Sequence, residues 1–202
     1  MTPSRILVAT TSRGKIREIA AMLADLPIET IGLDDLPPLT EPVEDGATFA
    51  ENATKKALHY AGLTGELTLA DDSGLEVDAL QGAPGVYSAR YGGEPRDDNA
   101  NNAKLVAELQ SIPNVQRTAR FRCVLVAARG DCVLAVTEGA VEGRIIDEPR
   151  GTNGFGYDPH FFVPELGKTT AELDPEYKNR ISHRGKAVRA MKDRLIELLG
   201  AD

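Results

Sequence analysis

The apolar positions at the start of the chain predict a strand, a helix and a second strand. Residues 5–10 (RILVAT) form a short apolar run rich in β-branched side chains, which is typical of a buried strand. In residues 16–26 apolar side chains recur at helical spacing as far as Pro27, and residues 28–33 again have the composition of a strand. This β–α–β order favours a mostly parallel or mixed sheet.

The next segment predicts a loop and a second helix. Residues 34–46 contain three prolines and five acidic residues, a composition typical of a loop. Thr48 and Glu51 have the spacing of a capping box. We expect the helix that they begin to cover residues 49–61 and to end at Gly62.

Strand patterns dominate the middle of the chain. Residues 67–72 form an apolar run, and residues 74–80 alternate apolar and polar side chains, as a half-buried strand does. The clearest pattern is a β-hairpin over residues 118–146, in which two long apolar runs turn at the Arg-Gly-Asp sequence of residues 129–131. We interpret that tripeptide as a turn rather than as an adhesion motif.

Two further helices are predicted. Residues 96–112 have helical character, with Asp97 or Asp98 as the N-cap. Residues 182–200 form an amphipathic helix with Ser182 as its N-cap. We expect its apolar stripe to face the core, with the residues Val188, Met191, Leu195 and Leu198.

Length and composition indicate one α/β domain, for which we take residues 1–202. The chain is 42% hydrophobic and 27% charged, ordinary values for a soluble globular protein. Its 23 Lys and Arg against 31 Asp and Glu give a net charge of −8. Such a chain lacks the basic surface of a nucleic-acid or membrane binder, although a local group of cations can still hold a small anion.

Cysteine usage and the N-terminal sequence predict a cytoplasmic protein. Cys123 and Cys132 flank the hairpin turn, and two reduced thiols are favoured over one disulfide. No apolar run approaches the length of about 20 residues that spans a bilayer. The N-terminal sequence MTPSRILVAT is too short and too strand-like for a signal peptide.

The turn after the first strand has the residues of a phosphate site. Backbone N–H groups at a helix N-terminus, hydroxyl groups and a lysine together suit a phosphate group. The candidates are Thr10, Thr11, Ser12, Arg13, Gly14 and Lys15. The segment is not a P-loop, since neither G-x-x-x-x-G-K-[ST] nor G-x-G-x-x-G occurs in the chain. A capped helix with a surface lysine is the alternative interpretation.

Four acidic residues are candidates for catalysis or metal binding. We expect Asp71 and Asp72 to end a strand, at the edge where open α/β sheets bind ligands, and Glu44 and Glu51 precede that strand. Carboxylate oxygens suit Mg²⁺, which in proteins takes one or two carboxylates together with substrate phosphates. For each acid, a solvated loop position or a helix cap is the alternative.

A glycine-rich loop, residues 151–163, runs into a short strand and carries aromatic side chains. Phe155 lies between two glycines and can present the face of its ring to a flat base, while Asp158 can accept hydrogen bonds from one. The alternative is a tight loop whose aromatic residues, including Tyr157, pack on the core.

Basic residues surround the start of the last helix: Lys178, Arg180, His183, Arg184 and Lys186. Cations in the first turn of a helix are unfavourable to the helix dipole. This mismatch favours a role in binding an anionic or carbonyl-bearing ligand, and a solvated basic face is the alternative.

Other catalytic and metal motifs are missing from the sequence. No G-x-S-x-G elbow occurs, and His59, His160 and His183 do not have the spacing of zinc ligands. We interpret His59, on the predicted second helix, as a structural residue.

Taken in order, the motifs resemble those of the inosine triphosphate pyrophosphatase family, also described as dITP/XTP pyrophosphatases. They are the T-x-x-x-G-K turn from Thr10, TFAENATKKA from Thr48, ADDSGLEVDALQGAPGVYSARYGG from Ala70, GFGYDPHFFVP from Gly154 and SHRGKA from Ser182. The resemblance runs from about Ile6 to Leu198. The family usually has asparagine at the position of Ser12, and serine retains a donor for a phosphate oxygen.

The resemblance implies hydrolysis of non-standard purine nucleoside triphosphates (ITP, dITP and XTP) to the monophosphate and pyrophosphate. It also implies dependence on Mg²⁺, a homodimer, and an elongated mixed β-sheet flanked by helices, with the active-site cleft between two lobes. Two alternatives remain: a pyrophosphatase for modified pyrimidine nucleotides, and a non-catalytic nucleotide sensor. Asp72, Lys15 and Lys56 argue against a sensor, which needs no base to activate water.

The resemblance also implies roles for individual residues. Asp72 would be the general base and a metal ligand, and Glu44 a second metal contact. Binding of phosphates or of the base edge is implied for Thr10, Thr11, Ser12, Arg13, Gly14, Lys15, Lys56, Ser73, Lys178 and Arg184. A base pocket is implied for Phe155, Gly156, Tyr157, Asp158 and His183. Arg184 and His183 would donate to the 6-carbonyl group of hypoxanthine or xanthine.

Overall fold

The chain begins with the predicted β–α–β unit. The computed structural model describes residues 4–200. In it, β1 (Ser4–Val8), α1 (Arg13–Leu23) and β2 (Ile28–Gly32) follow one another, and β1 pairs with β2 in parallel. The β-branched run and the helical spacing that predicted these elements are therefore confirmed.

Helix α2 (Phe49–Thr64) begins where the capping residues predict. The Thr48 hydroxyl accepts a hydrogen bond from the Glu51 backbone N–H at 3.2 Å. The Glu51 carboxylate accepts from the backbone N–H of Ala47 at 2.8 Å. The Glu51 side chain therefore satisfies one backbone donor just before the helix, which agrees with the interpretation of Glu51 as part of a helix cap.

The predicted end of this helix was wrong. The helix continues through Gly62 to Thr64, and Gly65 caps it with a φ of 72° and an N–H bond to the Ala61 carbonyl. Many helices end at a residue in the left-handed conformation, and Gly65 adopts it here without steric cost. Gly62 instead has ordinary helical geometry within α2.

The two strands predicted for residues 67–72 and 74–80 are one strand, β3 (Leu67–Val77). Ser73 and Gly74 do not break the strand, because their backbone stays extended. Asp71 and Asp72 consequently lie inside a strand and not at its end, which corrects the expectation from sequence.

The hairpin is formed as predicted by β4 (Thr118–Arg129) and β5 (Cys132–Ile145). Gly130 allows the tight turn with a φ of 59°. Cys123 is buried and Cys132 is exposed, and both are free thiols.

The remaining elements are α3 (Asp98–Leu109), β6 (Phe161–Val163), β7 (Lys168–Thr169), α4 (Pro175–Ile181) and α5 (His183–Leu199). Helix α4 was not predicted. The chain nevertheless contains its start signal, since the Asp174 carboxylate accepts from the backbone N–H of Glu176 at 2.9 Å and a proline occupies the first turn. Ser182 separates α4 from α5.

The strands form a seven-stranded sheet in the order β2-β1-β3-β4-β5-β6-β7. β1 is parallel to both β2 and β3, whereas β6 is antiparallel to β5 and to β7. The predicted mixed sheet with flanking helices is therefore confirmed. None of the helices that the structure describes has the length and apolar character needed to cross a membrane.

The chain divides into two compact units. The first comprises the chain as far as Asp72, Cys123–Gly139 and the segment from His183 onward. The second comprises Ser73–Arg122 and Ala140–Ser182. The single domain and the cleft that were expected from the sequence stay predictions.

Each unit has an apolar core of its own. In the first unit, β1, β3 and β4 pack with α1 and α5 through fully buried side chains such as Leu69, Leu125 and Met191. Val188 and Leu195 are also buried, as the amphipathic pattern predicts, whereas Leu198 is only partly buried. Burial of each large side chain contributes about 1.5–3 kcal/mol to folding.

The core of the second unit is built around aromatic residues. Phe121 and Phe161 pack with ring centroids 4.5 Å apart. Leu75, Leu105 and Tyr157 join the same buried cluster. This cluster supports the short strand that follows the glycine-rich loop.

Gly139 on β5 allows helix α5 to pack closely in the first unit. A Cβ atom at this position would lie 2.3 Å from the carbonyl oxygen of His183 and 2.8 Å from the backbone nitrogen of Ala187. Both atoms belong to the backbone, so the contact cannot be relieved by rotating a side chain. The glycine therefore sets the position of the helix turn that carries His183.

We expect Gly139→Ala to destabilise the protein by about 1–3 kcal/mol, because the methyl group forces β5 and α5 apart. Gly62→Ala is the matched control. It adds the same methyl group to a helix interior, where its nearest neighbour is 4.0 Å away, and we expect a gain of about 0.5–1 kcal/mol. Urea unfolding midpoints measure both, and equal midpoints for the two variants would contradict this role of Gly139.

Candidate active site

The acidic pair lies just beyond the parallel part of the sheet. β1 pairs with β3 only as far as Val8 opposite Leu69, where the Ala9 N–H donates to the Leu69 carbonyl at 2.8 Å. β3 then continues to Asp71 and Asp72, while the chain after β1 turns into α1. The pair therefore lies past the carboxyl end of β1, the edge at which parallel sheets bind ligands.

Asp71 is the centre of a buried ion network in the first unit. The Lys15 ammonium lies 3.0 Å from its Oδ2 atom. The Arg184 guanidinium donates to the same oxygen from Nη2 at 3.3 Å and from Nε at 3.4 Å. Its Nη1 atom donates to Glu18 at 2.5 Å. The network joins α1, β3 and α5.

Arg184 is fully buried, and its charge is held by carboxylates. Burial by itself lowers the pKa of Arg184, but Asp71 and Glu18 raise it above the ordinary value for arginine. All three guanidinium nitrogens donate to these two acids. A role for Arg184 in reading a base stays a prediction.

Asp72 has a different environment from its neighbour. It is 8% exposed, and its Oδ2 atom accepts a hydrogen bond from the Asn52 side chain at 3.2 Å. Burial raises the pKa of Asp72, with Asp71 and Glu44 adding to the rise, while Lys15 and Lys56 oppose it. The net effect is a carboxylate that binds a proton more readily than an ordinary aspartate, as a general base requires.

Asn52 is a candidate functional residue that the sequence did not single out. Its Oδ1 atom accepts from the Gly46 backbone N–H at 2.7 Å, and its amide nitrogen donates to Asp72. A side chain held at both ends fixes the orientation of the carboxylate. The motif TFAENATKKA contains this asparagine, but no local pattern distinguishes it from a solvated helix residue.

Lys56 links the acidic loop to β3. Its ammonium lies 3.1 Å from Oε2 of Glu44 and donates to the Asp71 backbone carbonyl at 3.2 Å. Although it is a lysine, its side chain is only 9% exposed. The charge of this buried ammonium is therefore balanced by Glu44.

The carboxylate oxygens near Asp72 suit a hard divalent cation that is also coordinated by oxygen atoms of the substrate. In residues 4–200, no group of three or more His, Cys, Asp or Glu side chains could hold a metal ion by itself. Glu44 pairs with Lys56, and Asp72 interacts electrostatically with both of them. Mg²⁺ in proteins takes one or two carboxylates together with substrate phosphates. The residues present therefore fit an ion completed by phosphate oxygens.

Helix α1 begins at Arg13, a few residues after β1 ends at Val8. Ser12 is the N-cap, and its side chain makes no capping hydrogen bond. The Ser12 N–H donates to the Thr10 hydroxyl at 3.2 Å. Thr11 and Arg13 are exposed, whereas Gly14 and Lys15 are half-buried. The backbone therefore offers the anion-binding geometry of a helix N-terminus.

The aromatic loop of the second unit is held by Asp158. Its Oδ2 atom accepts from the Lys178 ammonium at 2.6 Å and from the Phe155 N–H at 2.8 Å. Its Oδ1 atom accepts from the Thr170 hydroxyl at 2.7 Å. The Lys178 ammonium also lies 5.1 Å from the centre of the Phe155 ring. Asp158, Phe155 and Lys178, predicted as binding residues, therefore form one cluster.

The other candidates lie in varied environments. Tyr157 packs in the core, its hydroxyl donates to the Ser88 carbonyl at 2.8 Å, and burial raises its pKa. This matches the alternative interpretation of the aromatic residues. Ser73 is half-buried on β3, His183 is buried at the start of α5, and Arg180 and Lys186 are exposed.

The family of the chain follows from comparisons of sequence and structure. The family model of the Ham1 family matches residues 6–194. A dITP/XTP pyrophosphatase of Desulforamulus reducens is 55% identical over 185 residues, which cover 92% of this chain and 92% of that protein. A dITP/XTP pyrophosphatase of Geobacter sulfurreducens is 55% identical over 192 residues, which cover 95% and 96%.

A solved structure agrees with these sequence matches. The structure of a HAM1 protein from Coxiella burnetii superimposes with a TM-score of 0.85 at 41% identity and covers 96% of this chain and 99% of that one. At 41% sequence identity, the two proteins are similar in sequence as well as in fold. The resemblance inferred from the ordered motifs is confirmed.

We expect substitutions of the two adjacent aspartates to have different effects on the free energy of unfolding. Asp71→Asn removes the carboxylate that Lys15 and Arg184 share, so we expect a loss of about 3–5 kcal/mol. The pKa of Asp72 is raised in the folded protein, so the folded state binds this proton more tightly than the unfolded state does. The free energy of unfolding therefore falls as the pH rises from the ordinary pKa of aspartate to the raised pKa, and it stays lower above that pH. We therefore expect Asp72→Asn to leave stability unchanged or to raise it at pH 7.

Urea unfolding at pH 7 in the presence of a chelator measures both variants without a bound metal ion. A marked loss of stability in Asp72→Asn, equal to that in Asp71→Asn, would show that both carboxylates serve the fold alone.

Proposed function

The chain belongs to the Ham1 family, and we propose that it hydrolyses the non-standard purine nucleoside triphosphates ITP, dITP and XTP to the nucleoside monophosphate and pyrophosphate. It is a nucleoside-triphosphate pyrophosphatase. The observation that carries the proposal is Asp72, a buried carboxylate with a raised pKa that interacts electrostatically with Lys15 and Lys56 and accepts a hydrogen bond from Asn52. Such a group can take a proton from water beside a polyphosphate.

Asp72 acts as the general base. Hydrolysis adds water across the anhydride between the α- and β-phosphates, and the attacking water gives up a proton as it does so. The Asn52 amide keeps one oxygen of Asp72 in place, so the carboxylate is oriented before substrate binds. Positioning and electrostatic stabilisation supply most of the acceleration in reactions of this type.

Lys15, Lys56 and the start of α1 bind the phosphates. In the protein without substrate, Lys15 pairs with Asp71 and Lys56 with Glu44. Triphosphate oxygens offer these ammonium groups stronger acceptors, and the N–H groups after Ser12 add donors for the same anion. Asp71 and Glu44 hold these two ammonium groups in position, so the cations are in place before substrate binds although the protein has a net charge of −8.

The pyrophosphatase family is generally metal-dependent, and we propose Mg²⁺ for this chain. Glu44 and Asp72 would hold it together with substrate oxygens. When bound, the ion neutralises charge on the phosphates. Lys56, already beside Glu44, keeps that carboxylate near Asp72 before the ion arrives.

Recognition of the base is proposed for the loop of the second unit. Phe155 offers the face of its ring, and the Asp158–Lys178 pair offers both an acceptor and a donor. We retain His183 and Arg184 as donors for the 6-carbonyl group of hypoxanthine and xanthine. Adenine carries an amino donor at that position, so it would leave the protein donors unpaired.

The proposal includes the wider setting of the enzyme. We propose that the whole chain, residues 1–202, acts as one pyrophosphatase domain in a cytoplasmic homodimer. Two free thiols are consistent with a reducing compartment. No nucleic-acid or membrane partner is part of the proposal.

We expect Asp72→Asn to lower kcat for ITP by about 10²–10⁴-fold or more, because the amide keeps the shape of the side chain but cannot take a proton. Asp45→Asn is the control. It makes the same change at an exposed acid of the neighbouring loop, which pairs only with Lys55 among the contacts described, and we expect the wild-type rate.

Release of pyrophosphate from a panel of triphosphates, with and without Mg²⁺, measures these rates. We expect ITP and XTP to be cleaved far faster than ATP. Faster cleavage of a modified pyrimidine triphosphate would favour the related pyrimidine enzyme. Tight binding of ITP without pyrophosphate release would identify a sensor.

We expect Lys56→Ala to raise KM for ITP by about 10- to 100-fold, the effect of one lost hydrogen bond to a charged group. Lys55→Ala removes an adjacent, exposed lysine of the same helix and should leave KM unchanged. Steady-state kinetics over a range of ITP concentrations compares them. A change in the ITP/ATP preference at constant KM would show that Lys56 contacts the base instead of the phosphates.

A further inference from the structure

The first turn of helix α3 holds the glycine-rich loop at Gly156, from both sides of that residue. The Gly156 N–H donates to Oδ2 of Asp98 at 2.9 Å. The Gly156 carbonyl accepts from the side-chain amide of Asn102, also at 2.9 Å. Both contacts lie within the second unit and join residues more than fifty positions apart in the sequence.

Asp98 reaches the loop because its neighbour caps the helix. The sequence left Asp97 and Asp98 as equal candidates for the N-cap. In the structure Asp97 accepts from the backbone N–H groups of Asn99 and Ala100 at 2.8 and 3.3 Å. The Asp98 carboxylate is therefore not needed for capping, and its Oδ1 and Oδ2 atoms accept from Arg96 and Gly156.

Asn102 is held in the orientation that this contact requires. Its amide nitrogen donates to the Asp98 backbone carbonyl, one helix turn earlier, at 2.8 Å. The second hydrogen of the same nitrogen is then directed to the Gly156 carbonyl. The two side chains consequently act together, and each depends on the helical geometry of α3.

The conformation of Gly156 gives these contacts their importance. Gly156 has a φ of 62°, and a Cβ atom there would meet nothing within 4 Å. The position therefore requires a left-handed backbone rather than space. Its N–H and carbonyl belong to the two peptide groups that join Gly156 to Phe155 and to Tyr157, so the two hydrogen bonds fix both peptide planes.

We propose that Asp98 and Asn102 are positioning residues for base recognition. They hold the peptide groups beside Phe155 and Tyr157 so that the loop has its binding geometry before a nucleotide arrives. The inference rests on the proposed function, in which this loop binds the purine. A loop that is already ordered loses less conformational entropy when it binds a ligand. Removing these two hydrogen bonds would therefore weaken binding of the base.

The neighbouring residue Asn101 provides a matched control. It is also an asparagine of α3 that joins two backbone groups, since its Oδ1 accepts from the Gly92 N–H at 2.6 Å and its nitrogen donates to the Ala89 carbonyl at 3.2 Å. These contacts hold a different loop. Asn101→Ala and Asn102→Ala therefore remove the same kind of side chain, but only one of them touches Gly156.

The test compares inhibition by the two products of ITP hydrolysis. We expect Asn102→Ala to raise the inhibition constant of IMP about 5- to 30-fold and to leave that of inorganic pyrophosphate within twofold of wild type. We expect Asn101→Ala to lower the melting temperature as much or more and to leave both inhibition constants within twofold. The kcat/KM ratio of ITP to ATP should fall only in Asn102→Ala.

Asp98 supplies a second, independent pair of variants. Asp98→Ala removes the acceptor of the Gly156 N–H, and we expect the same selective weakening of IMP inhibition. Asp98→Asn keeps an oxygen that can accept this hydrogen bond, and we expect recovery to within about threefold of wild type. If Asn102→Ala does not fold, this pair carries the test.

The two proposals fail in different ways. If wild-type protein neither cleaves ITP nor binds IMP, the proposed function is overturned, and the positioning role with it. If the wild type cleaves ITP, but Asn102→Ala and Asp98→Ala change IMP and pyrophosphate inhibition equally, the positioning role alone is overturned. An effect of Asn101→Ala on IMP equal to that of Asn102→Ala would overturn it as well.

Discussion

Two adjacent carboxylates that are buried in one strand organise the first unit. Successive side chains of a strand point to opposite faces, so Asp71 and Asp72 cannot share one environment. Asp71 receives Lys15 and Arg184, which come from α1 and α5, and its charge is balanced by those cations. Asp72 receives only the neutral amide of Asn52 from α2 as a side-chain donor in the described contacts, and burial raises its pKa. Strand geometry thus divides two identical residues into one that holds helices together and one that is suited to chemistry.

Under the proposed function, this division explains how an acidic protein can bind a polyanion. Lys15 and Lys56 are largely buried, and each is paired with a carboxylate in the substrate-free protein. Those ion pairs hold the ammonium groups in place. They also offset the free energy that burial of an unpaired charge would cost. A substrate that brings its own negative charge can exchange for these partners, so the site is ordered before binding without a net positive surface.

The second unit prepares its loop by hydrogen bonds rather than by charge balance. The Asp158 carboxylate accepts three hydrogen bonds, from Phe155, Lys178 and Thr170, while α3 holds Gly156 from both sides. A left-handed glycine would otherwise leave the loop with many conformations. Asp97 caps α3, whereas Asp98 contacts the loop. Two adjacent aspartates therefore have different roles here, as Asp71 and Asp72 do in β3.

The sequence by itself determined the features that depend on neighbouring residues: the β–α–β opening, the hairpin at residues 129–131, the cap at Thr48 and the ordered motifs that indicate the family. These features are local, because periodicity, capping and turns require contacts only a few positions apart. The tertiary structure alone decided that β3 is continuous, that Asp98 and not Asp97 reaches Gly156, and that Asn52 orients Asp72. The local sequence around a polar residue on a helix does not predict its hydrogen-bond partner. Their roles are fixed only when packing brings together segments that lie far apart along the chain.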